Sequence, residues 1–320
     1  MSMKTLVSLA LAAASFSACA QADWPQRPVR MLVGFGPGGG TDIVARIVAP
    51  ALGDGLGQPV VVENRPGAGG AVAAAQVAKS PADGYTAFML NNGFAVSAVM
   101  SRALPYDPLA DFQPVSMVAT MPLVVLTGPK SGFSDLKGLV DAAKANPGKL
   151  NFASVGVGST QHFAGELLFQ LAGIQLTHVP YKGTPNAIAA TQANESQLLV
   201  EVAAAALGQV RGGALKALAV TTGSPFAALP DVPTLRQSAL PDYDVTTWYA
   251  LAFPARTPAM VVEKTGRALR AALARDDVRR QLANAAFVPE TSTPEALQSH
   301  IRSEIARWGA VRDRAGIKPE

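Results

Sequence analysis

Short β-rich runs alternate with helical patterns from residue 29 onward, and the alternation stops and restarts near Met121. "VRMLVGF", "PVVVEN" and "YTAFMLN" have the texture of strands, while segments 42–53 and 70–79 between them place apolar residues at helical spacing. That order is βαβαβ, which predicts parallel strands joined by crossover helices. After "DFQPVSMVATMPLVVLTGP" the pattern resumes with a helix capped by Ser134 and ending near "ANPGK", strand "LNFASVG" and a helix over 160–172. Strands "LTHVPYK", "QLLVEV" and "LKALAV" follow. Two α/β units suit about 300 residues better than one core does.

The tail differs, with strand-like "VTTWYALAFPA" and helical segments 257–275 and 293–315. In the last, Thr293 caps, Pro294 takes the first position, and Leu297, Ile301, Ile305, Trp308 and Val311 mark an apolar face closed by Gly316. Helices arriving after the second sheet is complete pack most simply on the first unit. The chain then crosses between units twice, near 121–124 and 244–248. The expected division is 23–122 with 246–320 as domain 1 and 123–245 as domain 2. Two crossovers make a hinge, and a cleft between domains can bury a ligand.

Residues 1–22, "MSMKTLVSLALAAASFSACAQA", have one lysine, an apolar stretch and two A-x-A-like sites, the form of a secretory signal peptide cleaved after Ala20 or Ala22. The expected address is the periplasm. Cys19 also invites a lipoprotein reading, against which Phe16 stands where an aliphatic residue is expected. If cleavage follows Ala20 or Ala22, the mature chain has no thiol, hence no disulfide, thiolate metal site or cysteine nucleophile. The formal charge of +4 is scattered and forms no stripe for nucleic acid.

"VGFGPGGGTDIVARIV", residues 33–48, runs from a strand through five glycines into a helix. Gly34, Gly36 and Gly39 satisfy G-x-G-x-x-G, and Glu63 ends the second strand as a ribose-binding acid would. Against a dinucleotide stand Pro37, a periplasm without a nicotinamide pool, and Asp42 beside the pyrophosphate position. Against a phosphate loop stands Gly40, where that motif requires lysine. What survives is a set of backbone N–H groups at the positive end of a helix, suited to one or two carboxylates. "ASVGVGSTQHFAGELLFQLAG" repeats the device, with Gly156 and Gly158 loosening the turn and Ser159 or Thr160 capping the helix. Either loop alone is also an ordinary strand-to-helix turn.

Signs of catalysis are sparse. The histidines, His162, His178 and His300, have no cysteine beside them, which disfavours a metal site, and no cofactor is expected. "FASVG" approaches the hydrolase elbow around Ser154, but Phe152 stands where glycine is required.

In these loops and in "LGQPVVVENRPGAGG", "DGYT", "YDPLADFQPVSMVA", "HVPYKGTP", "LKALAVTT", "LPDVPTL" and "TPEAL", the chain resembles the Bug/TctC-type receptors of the tripartite tricarboxylate transporter family. The resemblance covers nearly the whole mature chain. It implies an α/β, two-domain periplasmic binding protein of type II (Venus-flytrap), each domain a mostly parallel sheet flanked by helices. It also implies a non-enzymatic monomer that closes on a small organic carboxylate, a di- or tricarboxylate or an aromatic acid, and presents it to a membrane permease. A sensor docking on a signalling receptor, or a secreted hydrolase centred on Ser154, are the alternatives.

By the same resemblance, ligand contacts are expected from Phe35, Gly38, Gly39, Thr41 and Asp42 in the first loop. The second supplies Ser154, Gly158, Ser159, Thr160 and His162, and Tyr181, Lys182 and Gly183 form a rim. Thr41 and Ser159 each either donate to a ligand oxygen or cap their own helix. Lys182 either supplies a positive charge or pairs on its own surface, and Asp42 is better suited to its helix dipole than to an anion. Gly34 and Pro37 depart from the family's first loop, and "ANESQLLVE" replaces its glycine pair, which puts a contact from Glu201 in doubt. "NNGF", 91–94, is read as a specificity loop offering Asn91 and Asn92, while Phe94 and Trp248 either line an apolar slot with Phe35 or belong to the core.

Overall fold

The computed structural model describes residues 24–238 and 240–319, so the proposed leader at 1–22 lies outside the described residues. Ten strands form the framework: β1 (Val29–Val33), β2 (Val60–Asn64), β3 (Thr86–Asn91), β4 (Phe112–Thr127), β5 (Asn151–Ser154), β6 (Thr177–Pro180), β7 (Leu198–Val202), β8 (Lys216–Val220), β9 (Thr246–Pro254) and β10 (Val288–Pro289). The helices are α1 (Gly40–Leu56), α2 (Ala71–Ala78), α3 (Asn92–Met100), α4 (Leu136–Ala145), α5 (Thr160–Ala172), α6 (Thr184–Ala193), α7 (Ala203–Arg211), α8 (Leu235–Ser238), α9 (Ala259–Ala274), α10 (Asp276–Asn284) and α11 (Pro294–Ala315).

The strand order is β2-β1-β3-β9-β4-β7-β5-β6, with β8 and β10 also paired to β4. Strands β2, β1 and β3 are parallel, as are β6, β5 and β7, matching the two alternating runs of the sequence. The sheets are nonetheless mixed and not mostly parallel, because β9 pairs antiparallel with β3 and β4, and β7, β8 and β10 pair antiparallel with β4. One long strand causes this. Phe112–Pro122 of β4 pairs with β9, and Leu123–Leu126 continues straight into pairing with β7. Its almost unbroken burial explains why "FQPVSMVATMPLVVLT" lacks the alternation of a one-faced strand.

The two passages between sheet halves lie side by side. Pro122 is opposite Thr246, and Val245 donates its N–H to the Thr221 carbonyl across the second half. The last helix has the cap and apolar face read from the sequence: Thr293 accepts the Ala296 N–H, and Leu297, Ile301, Trp308 and Val311 are buried, with Ile305 half-buried. It packs on α3 and β4 of the first half and also on α5 of the second.

Two local readings are corrected. Asp135, not Ser134, caps α4, because its carboxylate accepts the Gly138 N–H at 2.8 Å while the Ser134 hydroxyl turns to Asp135 itself. "NNGF" is not a loop but the start of α3, with Asn91 as N-cap accepting the Gly93 N–H.

Candidate functional site

A cleft of about 660 Å³ opens at the C-terminal edges of the parallel strands, and both glycine-rich loops line it. A second concavity, about 690 Å³, lies outside α1 against β2 and touches neither loop.

In the first loop the chain leaves β1, turns through Gly38 in a left-handed conformation and enters α1 behind Gly39. No side chain caps this helix in the usual way. Asp42 instead reaches back to the Gly38 N–H at 2.9 Å, while Arg46 and Asn64 each donate to its other oxygen at 2.9 Å. Burial alone would push the Asp42 carboxyl up, but the hydrogen bonds from Arg46, Gly38 and Asn64 outweigh it and hold it below the usual carboxylate range. Gly38 and Asp42 therefore hold each other and do not line the cleft; Phe35, Gly39 and Thr41 do.

Thr41 accepts the Asn91 Nδ2–H at 2.9 Å, which leaves its own hydroxyl proton to donate. Asn91 is bonded at both ends of its amide, as N-cap of α3 and as donor to Thr41, and keeps its second amide proton. Asn92 also borders the cleft, but its amide is bonded at both ends to the crossing strand, donating to the Thr246 carbonyl and accepting the Trp248 N–H. Both asparagines thus shape the wall.

The second loop has the same plan and different commitments. Ser159 caps α5 by accepting the His162 N–H at 3.1 Å and donates its own proton to the Gly156 carbonyl at 2.8 Å. Of the two outcomes open for this serine, the structure has the cap. Gly158 and Thr160 line the cleft, with the Gly158 N–H directed to His162 Nδ1 at 3.2 Å. His162 is buried behind the loop, its ring stacked on His178 with centroids 3.8 Å apart. Ser154 is wholly buried, with Oγ 2.6 Å from His178 Nε2, and is not part of the lining. Tyr181, Lys182 and Gly183 lie on the neighbouring turn after β6, outside the lining; Lys182 is exposed.

Several lining residues were not legible in the sequence. Tyr249 arrives from β9, opposite Asn91, and a Cβ on Gly40 would stand 2.6 Å from its hydroxyl oxygen. Glycine at 40, where a phosphate loop needs lysine, is thus what lets α1 begin against Tyr249. Burial pushes the Tyr249 phenol up to about 12, so it remains a proton donor. Gln161 faces the cleft and donates to Glu201 at 2.8 Å. Glu201 also takes the Val202 N–H and is completely buried, so it orients Gln161 from behind. Phe94 and Trp248 are core residues, packed with Phe112 and Glu304 respectively.

The lining contains no Asp, Glu, Lys, Arg or His side chain among the described residues. Its electrostatics come from helix N-termini: those of α1, α2, α3, α5 and α7 each have the N-cap or first residue in the lining. Among the described residues no group of three His, Cys, Asp or Glu is placed to hold a metal ion.

A family model described as the tripartite tricarboxylate transporter family receptor matches residues 44–317. Protein BugT of Bordetella pertussis is 35% identical over 316 residues, 98% of this chain and 97% of BugT. The solved structure of R. palustris Rpa4515 with adipate is 32% identical with a TM-score of 0.82, over 93% of this chain and 100% of that one. The periplasmic binding protein BugD is 31% identical with a TM-score of 0.77, over 93% and 100%. The α/β arrangement with mixed, helix-flanked sheets has the architecture of type II periplasmic binding proteins.

Proposed function

The chain belongs to the tripartite tricarboxylate transporter receptor family, and from that premise we propose that it is a periplasmic, non-enzymatic binding protein. It captures a small organic carboxylate in the cleft and delivers it to the membrane components of a tripartite tricarboxylate-type transporter. The observation that carries this reading is the convergence of five helix N-termini, with the Thr41 and Tyr249 hydroxyls beside them, on a cleft without charged side chains among the described residues. A buried carboxylate needs several charge-assisted hydrogen bonds, and fixed N–H and hydroxyl donors supply them without immobilising long side chains. The solved structure of Rpa4515 with adipate supports a carboxylate as the ligand class.

In this reading residues 23–122 with 246–320 form one domain and 123–245 the other, hinged where β4 and β9 pass side by side. Phe35, Gly39, Thr41, Gly158 and Thr160 contact the ligand with Tyr249 and Gln161, and the receptor works as a monomer. A thermal-shift panel tests the function. Saturation at about 100 times the dissociation constant adds roughly 2.7 kcal/mol to stability. Carboxylates are expected to raise the melting temperature; shifts with sugars or cations alone, and with no acid, would overturn the proposal.

A further inference from the structure

The cleft has a direction, set by α3. Gly93, Val96, Ser97, Met100, Ser101 and Leu104 recur at three- and four-residue spacing and all line it, so one face of this helix and its exit forms the wall. At its N-terminal end, Asn92 is bonded to the crossing strand, so this end is the floor, next to Thr247 and Tyr249. At the other end Met100 meets the opposite loop, its Cε 3.5 Å from where a Cβ on Gly158 would stand.

Most of the uncommitted donors lie toward the floor. In the second loop the N–H groups of Gly156, Gly158 and Ser159 are bonded to Ser154, His162 and Gly156 respectively, so those of Val155, Val157, Thr160 and Gln161 remain, the last two at the start of α5. In the first loop Gly38 N–H is held by Asp42, and those of Gly40 and Thr41 remain at the start of α1. Thr41 and Tyr249 add hydroxyls there. The outer end is mainly apolar: Met100, Leu104 and Val157 line it beside the hydroxyls of Ser97 and Ser101, and it faces the C-terminal, negative end of α3. Two cations stand at this helix end and neither is part of the lining: Arg312 donates to the Val99 carbonyl and is paired with Asp313, and Arg102 donates to the Pro319 carbonyl.

We propose that the ligand is a monocarboxylate with an uncharged, mainly apolar body, seated with its carboxylate at the floor and its body along α3 toward Met100 and Leu104. This rests on the carboxylate-receptor reading and narrows it. A second carboxylate at the outer end would exchange water for thioether and aliphatic groups at a negative helix terminus, with no cation in the lining to offset the loss.

Titration calorimetry with matched pairs tests it: hexanoate against hexanedioate, octanoate against octanedioate, and phenylacetate against 1,4-phenylenediacetate. Each monoacid is expected to bind at least about tenfold more tightly than its diacid. Diacids that bind equally or more tightly would overturn the proposal while leaving the receptor function intact. If no acid of either series binds, the carboxylate reading falls and the proposal with it. A Leu104→Lys variant, or Ser101→Lys at the same end, places a cation beside the outer end and is expected to shift the mono-to-diacid ratio at least about tenfold toward diacids. An unchanged ratio in both folded variants would overturn the placement of the body there.

Discussion

Thr41 and Ser159 stand at the first turns of α1 and α5 and look interchangeable in the sequence, yet their protons go to different places. Ser159 gives its proton to Gly156 and caps α5, whereas Thr41 receives a bond from Asn91 and keeps its proton for the cleft. Tyr249 Oη completes the same pole beside Gly40. Tyr249→Phe removes only that hydroxyl, and a hydrogen bond to a charged group contributes about 1.5–3 kcal/mol. Carboxylate affinity should fall roughly ten- to a hundredfold with the melting temperature nearly unchanged. Ser159→Ala should do the opposite, costing about 1 kcal/mol of stability as a lost cap with a smaller effect on affinity. Calorimetry and denaturant titration of the two variants separate the roles, and equal affinity losses would refute the distinction.

The stacked histidines give a second prediction at this scale. Burial, and then the neighbouring His178, lowers His162 to about 3; burial lowers His178 to about 4. Unfolded, both titrate near about 6.5. The unfolded chain therefore binds more protons below that pH, and the pair's contribution to stability falls as pH drops from about 6.5 toward 4. Glu166, raised to about 7 by burial, acts in the opposite sense: it releases a proton on unfolding above about 4.5. Two uptakes outweigh one release, so unfolding near pH 5.5 should take up protons through this cluster. His178→Gln should nearly cancel its pH dependence between 4.5 and 6.5. Denaturation midpoints across that range check this, and a slope identical to the parent's would count against the buried neutral pair.

At the scale of elements, the glycine loops show what a local signal carries. Gly39 has an ordinary φ of −77°, and a Cβ there meets Gly36 O at 3.5 Å, whereas at Gly40 it meets Tyr249 Oη at 2.6 Å. Gly40→Ala should accordingly cost carboxylate affinity at least about tenfold more than Gly39→Ala, because the rigid phenol must leave the pole. Similar affinities for both variants would remove Tyr249 from the site. The sequence made these loops, their helices and the Thr293 cap legible because glycine, capping and periodicity act within a few residues. It did not reveal α3, whose "NGFAVSAVM" is apolar nearly all round because it is wedged between β3, α11 and the cleft. Nor did it reveal Tyr249, placed opposite Asn91 by strand pairing across more than 150 residues. The carried-over contacts at Asp42, Ser154 and His162 lie outside the lining for a related reason: each is engaged within the protein, Asp42 by Gly38, Arg46 and Asn64, and Ser154 and His162 by His178, which sequence spacing does not place beside them.

For the whole molecule, the junction of the two halves is held by polar groups buried where β4 and β9 cross. Asn92 binds the backbone of Thr246 and Trp248, and Glu304 of α11 accepts both the Trp248 and Trp308 indole N–H groups, at 3.1 and 3.0 Å, and pairs with Arg307. Removing either side chain orphans two buried partners at about 1–3 kcal/mol each. Asn92→Ala and Glu304→Ala should therefore both lower unfolding free energy by roughly 2–5 kcal/mol in denaturant titrations. They should differ in binding. Asn92 borders the cleft beside the crossing of β4 and β9, so its loss should weaken carboxylate affinity and blunt the ligand-induced contraction that solution scattering is expected to register in the parent. Glu304 lies on the α11 side and outside the cleft, so its variant, where folded, should bind and contract as the parent does. Contraction lost equally in both, or absent from the parent at saturating ligand, would mean that closure does not pivot on this crossing.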